Sequence, residues 1–293
     1  MRNFIKNLLK REKIRPKKKL GQNFLISKRI LKEIIKSSQL KPNETVLEIG
    51  PGLGILTEEL AKRVKKVICV EKDSRMVKIL KEGLKDLKNV EILKGDILKF
   101  SIFTVLSQQN FPKGHFQFSK RNYKLVANLP YYITSPVIRM FLETKNPPKL
   151  MVLMVQKEVA QRICASPPKM SKLAVFCQFY GKPKIIKFVS KKAFWPQPKV
   201  DSAILKIIPQ QFSFSVSSQF RAKFAKIVKA GFSQPRKQLI NNLSNSLNLS
   251  REKVKEWLLK NNINPSQRAE SLKVKDWVNL TKTSKSLNYS TTQ

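Results

Sequence analysis

The sequence predicts an α/β fold, a doubly wound sheet followed by a small all-α C-terminal domain, and three observations carry that prediction. Short runs rich in β-branched and apolar residues alternate with stretches of helical spacing from residue 45 to residue 208. One of those runs, Thr45 to Ile49, enters the turn Gly50-Pro51-Gly52-Leu53-Gly54 and continues at once into Ile55 to Arg63, whose apolar residues recur with helical period. Beyond Gln210 the pattern changes: Phe220 to Gly231, Lys237 to Leu247, Arg251 to Asn261 and Val274 to Thr281 read as short helices separated by Asn, Ser and Pro. A chain of 293 residues can bury a large core and a second, smaller one.

Strands are expected near 45–50, 66–71, 90–94, 123–127, 150–155, 184–189 and 202–208. The expected division is a basic N-terminal arm over 1–19, the sheet domain over 20–209, the helical domain over 219–283 and a polar tail over 284–293, with the polar, Ser-rich Gln210 to Ser218 as linker. The first 20 residues carry nine bases and one acid, Glu12, and no apolar run of signal-peptide length, so they read as a flexible basic arm or a disordered one. Val105 to Asn122, rich in Gln, Ser, Lys and Phe, reads as a loop or a basic flap and holds the only histidine, His115.

Four strand ends carry polar residues suited to a nucleoside. Gly50, Gly52 and Gly54 let the backbone come close to a ligand. Val67 to Val70 forms a second strand, and Glu71 at its end lies 21 residues after Gly50, where a doubly wound fold places an acid on ribose hydroxyls. The spacing is G-x-G-x-G, with Pro51 inside it and Glu48 just before it, not the G-x-G-x-x-G that meets a pyrophosphate. That pattern favours a cofactor without a diphosphate, namely S-adenosylmethionine; a purely structural βα turn is the alternative. Asp96 follows the third strand, Val90 to Leu93, on the same edge, where its carboxylate can accept a hydrogen bond from the cofactor's adenine amino group. A turn or helix-capping aspartate is the alternative there.

The fourth strand end is Asn128-Leu129-Pro130-Tyr131. An adenine N6 is a poor nucleophile because its lone pair is delocalised into the ring. The Asn128 side-chain oxygen and a main-chain carbonyl at Leu129 or Pro130 could accept its two N–H bonds and draw the nitrogen toward tetrahedral geometry. Pro130 fixes the local backbone, and Tyr131 offers a face for an extruded base. Phe194, in Phe194-Trp195-Pro196-Gln197-Pro198-Lys199, is the candidate aromatic for the opposite face, the other reading being an ordinary core residue. Aromatic faces beside a base that gains positive charge contribute about 0.5–2 kcal/mol each.

Composition points to a polyanionic partner. Lys plus Arg number 59 against 19 Asp plus Glu, a formal net charge of +40. Residues 1–100 hold 12 of the 19 acids, whereas residues 101–293 hold 33 bases and 7 acids, so the basic surface belongs to the later part. Cys69, Cys164 and Cys177 sit in apolar runs without metal-ligand spacing, which fits buried thiols in a reducing compartment and implies no metal. No stretch approaches the length of apolar residues that crosses a membrane, and a cytoplasmic location is expected.

Five ordered motifs, Lys17-Lys18-Lys19-Leu20-Gly21-Gln22-Asn23-Phe24-Leu25, Glu48-Ile49-Gly50-Pro51-Gly52-Leu53-Gly54, Gly95-Asp96, Asn128-Leu129-Pro130-Tyr131-Tyr132-Ile133 and Phe194 to Ser202, resemble those of the ribosomal RNA small-subunit adenine dimethyltransferases (KsgA/RsmA). The resemblance runs from about residue 17 to about residue 280. It implies a Rossmann-like S-adenosylmethionine-dependent methyltransferase sheet. It also implies N6,N6-dimethylation of two adjacent adenosines in a hairpin loop near the 3′ end of small-subunit rRNA; a pre-30S particle is the expected partner, and a monomer is expected. Asn23 and Leu25 then close over the cofactor, while Gly50, Glu71, Asp96 and Asn128 make the other cofactor contacts. Arg236 and Lys237 match part of a segment in which two arginines precede a lysine, and can meet phosphates; here Pro235 stands in place of the first arginine. Asn264 to Leu272 resembles the closing motif, with a structural role.

Three rival functions remain. Macrolide-resistance methyltransferases of large-subunit rRNA share most motifs, but Leu129 and Asp201 lean toward the small-subunit enzymes. A nonenzymatic assembly or transcription factor need not keep Gly50, Glu71, Asp96 and Asn128 together. A nicotinamide enzyme is disfavoured by the glycine spacing and the charge.

Overall fold

A computed structural model describes residues 1–99, 123–144, 146–210 and 216–284. They divide into two compact units, Met1–Ala160 with Pro183–Pro209, and Gln161–Lys182 with the residues from Gln210 onward. Val105 to Asn122, His115 and most of Gln210–Ser218 and 284–293 lie outside the described residues.

The first unit is built on a seven-stranded sheet of order β4-β3-β2-β5-β6-β9-β7, with β2 Thr45–Ile49, β3 Lys66–Glu71, β4 Val90–Lys94, β5 Tyr123–Asn128, β6 Leu150–Gln156, β7 Gly181–Val189 and β9 Ser202–Pro209. The first five strands in that order run parallel, and β9 pairs antiparallel with β6. All seven strands lie where the alternation of runs predicts them. The chain steps outward from β2 to β3 and β4, then crosses to β5 on the other side of β2. Such a reversal of strand order opens a crevice at the carboxyl edge, the usual ligand position in doubly wound sheets. The central strands are apolar throughout because both faces are covered: Met151, Val152, Leu153 and Val155 of β6 are fully buried.

Helices α2 Lys28–Ser38, α3 Ile55–Ala61, α4 Ser74–Gly83 and α5 Thr134–Glu143 follow β1 (Phe24–Leu25), β2, β3 and β5. Ser27 caps α2 through Ile30 N, and Asp73 caps α4 through Arg75 N. A separate two-stranded sheet pairs β1, Phe24–Leu25, antiparallel with β8, Phe194–Trp195, placing Phe24 opposite Trp195 and Leu25 opposite Phe194.

The basic arm expected over 1–19 is not a free arm. Arg2–Arg11 form helix α1, and Ile5 and Leu9 are buried against Phe24, Leu53, Met76 and Ile79. Nine bases dominate the composition of this segment, but two apolar side chains at i, i+4 share one helix face and suffice to dock it.

The second unit consists of α7 Lys172–Tyr180, α8 Ser218–Gly231, α9 Leu239–Leu247, α10 Arg251–Lys260 and α11 Val274–Thr283; α6, Lys157–Ile163, precedes α7 across the unit boundary. Helix α7 was expected within 20–209. Its apolar residues instead face helices of this unit, with Phe179 stacked on Phe224 at 4.0 Å between centroids. Asn264 to Leu272 serves the packing, as expected: the carbonyls of Gln267 and Pro265 accept the Leu239 and Ile240 N–H groups at the start of α9.

Gly231, the last residue of α8, lies against Trp277. A Cβ built there would stand 2.3 Å from Trp277 Cη2, and the indole, fully buried, has nowhere to go. Gly231→Ala is therefore expected to lower stability by about 1–3 kcal/mol, read as a lower denaturant midpoint at unchanged m-value; an unchanged midpoint would contradict this packing.

Candidate active site

The carboxyl edge of the first unit holds one crevice lined by Asn23, Leu25, Gly50, Glu71, Asp96, Asn128, Leu129, Pro130, Tyr131 and Phe194. Ten of the residues singled out in the sequence thus come together, contributed by six separate segments. Arg236 and Lys237 do not line it. They lie in the second unit, on the exposed turn between α8 and α9, a turn held by Asn242, whose side chain donates to the carbonyls of Gly231 and Gln234 at 2.7 and 2.9 Å.

The floor is the glycine turn after β2. Gly52 has φ +59° and a Cβ there would meet the Phe24 ring at 3.1 Å, so both its conformation and its surroundings require glycine. Glu71, buried at the end of β3, holds this turn: one carboxylate oxygen accepts Gly52 N–H at 3.1 Å and the other accepts Asp73 N–H at 2.8 Å. Burial pushes the Glu71 pKa up, and these backbone bonds oppose that rise. Each oxygen keeps a second lone pair, so the pair can still accept two ribose hydroxyls.

Asp96, half-buried after β4, pairs with Lys72 Nζ at 2.8 Å and accepts Leu98 N–H at 3.1 Å. The Lys72 bond holds its carboxyl below the usual range. Asp96 is therefore a charged acceptor, with Lys72 as a partner that the sequence did not reveal.

Asn128 ends β5, and its Nδ2 donates to the Asn23 carbonyl at 3.2 Å, which leaves Oδ1 as the free end of the amide. The Asn23 side chain in turn donates to Gly21 O at 3.1 Å. Leu129 is buried and its N–H is given to Met154 O at 3.3 Å; the Pro130 carbonyl already accepts Ile133 N–H at 3.2 Å, so Leu129 O is the less committed acceptor. The Tyr131 hydroxyl and Ser202 Oγ lie 2.7 Å apart, which fixes the half-buried ring, and burial raises its pKa. Phe194, buried and packed in the core cluster with Leu25, shows the crevice only part of its ring.

Two features escaped sequence reasoning. A strap formed by Lys17 to Asn23 is tied down by Gln22, whose Nε2 donates to Asp73 Oδ2 at 2.9 Å while its Oε1 accepts Lys17 N–H at 2.7 Å. Asp73, held to a pKa of about 2 by Arg75, anchors that strap. Glu48, noted only as an acid before the glycines, is fully buried and accepts the Thr57 hydroxyl at 2.7 Å. Desolvation raises its pKa from 4.5 to about 8, so it is neutral at pH 7. Among the described residues no cluster of His, Cys, Asp or Glu is placed to hold a metal, and no helix is long and apolar enough to cross a membrane.

Residues 13–286 match the family model described as Ribosomal RNA adenine dimethylase. The chain belongs to that family. It is 45% identical over 273 residues to Ribosomal RNA small subunit methyltransferase A of Dehalococcoides mccartyi, covering 93% of this chain and 89% of the relative. It is 37% identical to the protein of that name from Alkaliphilus metalliredigens, over 94% of both chains. Among solved structures, a dimethyladenosine transferase from Plasmodium falciparum superposes with a TM-score of 0.70 at 29% identity, over 88% of this chain and 95% of that one. The 23S rRNA methyltransferase ErmE does so with 0.68 at 25%, over 89% and 98%. Members of this family are S-adenosylmethionine-dependent methyltransferases, and the crevice fits that cofactor: a cradle that a Cβ at Gly52 would fill, lined by two carboxylates, Glu71 and Asp96, that can accept hydrogen bonds from hydroxyl or amino groups.

Glu71→Ala is expected to weaken S-adenosylmethionine binding more than about tenfold in calorimetry, since each bond to a charged acceptor contributes roughly 1.5–3 kcal/mol. Unchanged affinity would remove Glu71 from the ribose. Because the Glu48 pKa is raised on folding, its stabilising contribution is complete below about 4.5 and is lost as pH rises through about 8. The unfolding temperature should therefore decline across that interval, and Glu48→Gln should flatten the decline; a variant with the wild-type slope would place the titration elsewhere.

Proposed function

We propose that this protein dimethylates N6 of two adjacent adenosines in a hairpin loop near the 3′ end of small-subunit rRNA, acting on an assembling small subunit and so taking part in its biogenesis. The observation that carries this reading is the orientation of Asn128: its amide nitrogen is spent on Asn23 O, so its oxygen is the group offered to an exocyclic amine. Bound S-adenosylmethionine supplies a methyl group on a positively charged sulfur.

The residues of the chain do the rest. Asn128 Oδ1 and Leu129 O accept the two N6–H bonds, which localises the nitrogen lone pair toward the methyl donor. These bonds strengthen as the nitrogen pyramidalises, so they lower the barrier more than they tighten ground-state binding. Tyr131, braced by Ser202, stacks on one face of the extruded adenine, and the edge of Phe194 meets the other. No base is required, because the cationic, newly methylated nitrogen is a strong acid and gives its proton to water. Arg236 and Lys237 meet backbone phosphates, which position the RNA without reading its sequence. The names of the curated relatives support a small-subunit target over the large-subunit one of ErmE, and so do Leu129 and Asp201.

Small subunits that lack dimethyladenosine should accept up to four methyl groups, mapped by mass spectrometry to two neighbouring adenosines. Methyl groups on large-subunit rRNA, or none at all, would overturn the proposal. Asn128→Ala should lower kcat by at least about two orders of magnitude with subunit affinity within about threefold. Normal turnover would take Asn128 out of the mechanism.

A further inference from the structure

We infer that a second notch on the first unit, walled by Lys157, Lys191 and Lys199, holds the backbone phosphate of a nucleotide that flanks the target adenosine. This rests on the rRNA methyl-transfer reading above and adds a subsite to it.

The three lysines come from separate segments: Lys157 opens α6, Lys191 precedes β8, and Lys199 lies in the loop that leads to β9. Asp201 brings them together. Its Oδ1 accepts Lys191 N–H at 2.9 Å and its carbonyl accepts Lys157 N–H at 3.0 Å, so one residue sets the backbone from which two of the ammonium groups reach out. Among the described residues none of the three has a carboxylate within 4.0 Å. Two acids, Asp201 and Glu158, also line the notch, which leaves it one positive charge in excess, matched to a singly charged phosphodiester.

The place of the notch selects the ligand. Asp201 is followed by Ser202, the residue that holds the Tyr131 hydroxyl, and Lys191 stands three residues before Phe194. The segment Lys191 to Ser202 therefore leaves the notch, contributes Phe194 to the methyl-transfer crevice and returns to the notch. A strand of RNA whose base enters the crevice would carry its neighbouring phosphate past these lysines. Beside Lys157, Phe188 exposes half its surface, with Lys157 Nζ 5.3 Å from its ring centroid. An exposed aromatic next to a phosphate site is the combination that receives an unstacked base of single-stranded RNA.

The test uses the full-length protein and small subunits lacking dimethyladenosine. The triple variant Lys157→Ala, Lys191→Ala, Lys199→Ala should raise KM for subunits by about tenfold or more, with kcat and S-adenosylmethionine affinity within about threefold of wild type. The corresponding triple arginine variant, which keeps the charge, should restore KM to within about threefold. Phosphate-ethylation interference should show wild-type binding blocked at a phosphate within about two nucleotides of the target, and the alanine variant indifferent to that position. If the alanine variant loses cofactor affinity, the three single variants carry the test, each expected to raise KM about twofold to threefold. An unchanged KM, or the same interference pattern in variant and wild type, overturns the notch while leaving the methyl-transfer reading intact. A wild-type protein that does not methylate small subunits overturns that reading first.

Discussion

Burying polar groups at one edge of a sheet is costly unless every one of them is held, and the functional edge is organised around meeting that requirement. Glu71 is the central case. Its carboxylate is nearly out of water, and it is held by N–H groups from the glycine turn on one side and from the start of α4 on the other. The same bonds that satisfy the charge set the shape of the turn, so the cradle and its acid are one construction. Glu48, one strand away, solves the problem differently: with only a hydroxyl and a thiol nearby it stays protonated, and no charge is buried. Two glutamates separated by a single strand spacing thus sit in different surroundings: backbone donors oppose the rise in the Glu71 pKa, whereas Glu48 has only side-chain donors.

The strap before β1 extends the arrangement to residues distant in sequence. Gln22 reaches Asp73, Asn128 reaches Asn23, and Phe24 fills the space that Gly52 leaves open. Each contact joins the strap to a different strand end. Helix α1 then fastens the strap from outside by burying Ile5 and Leu9 beside Phe24 and Met76. Glu71 and Asn128 are held relative to one another through this strap as well as through the sheet.

Much of this was legible in the residues. The seven strands announce themselves because central parallel strands must be apolar on both faces, and the four polar strand ends that line the crevice follow from where those strands stop. Side-chain partnerships were not legible: Lys72 on Asp96, Ser202 on Tyr131 and Gln22 on Asp73 join residues far apart in sequence, with no periodicity to mark them. The protonation of Glu48 depends on a burial that its neighbours in sequence do not report. Helix α1 was hidden by its own charge, since a count of bases says nothing of two apolar residues on one face. Helix α7 falls within the expected 20–209 domain because it precedes β7 in sequence, and only its packing, Phe179 on Phe224, shows that it belongs with α8.

The short pairing of β1 with β8 bears on how the protein comes into being during synthesis. Phe24 and Leu25 find their strand partners only at Trp195 and Phe194, some 170 positions later. While the chain is still emerging, the glycine turn and Glu71 can assemble from neighbouring segments, but the wall made by β1 and β8 cannot. A nascent chain therefore acquires a complete pocket only near the end of this unit's translation, and cofactor retention becomes a marker of a finished unit, not of a partly made one.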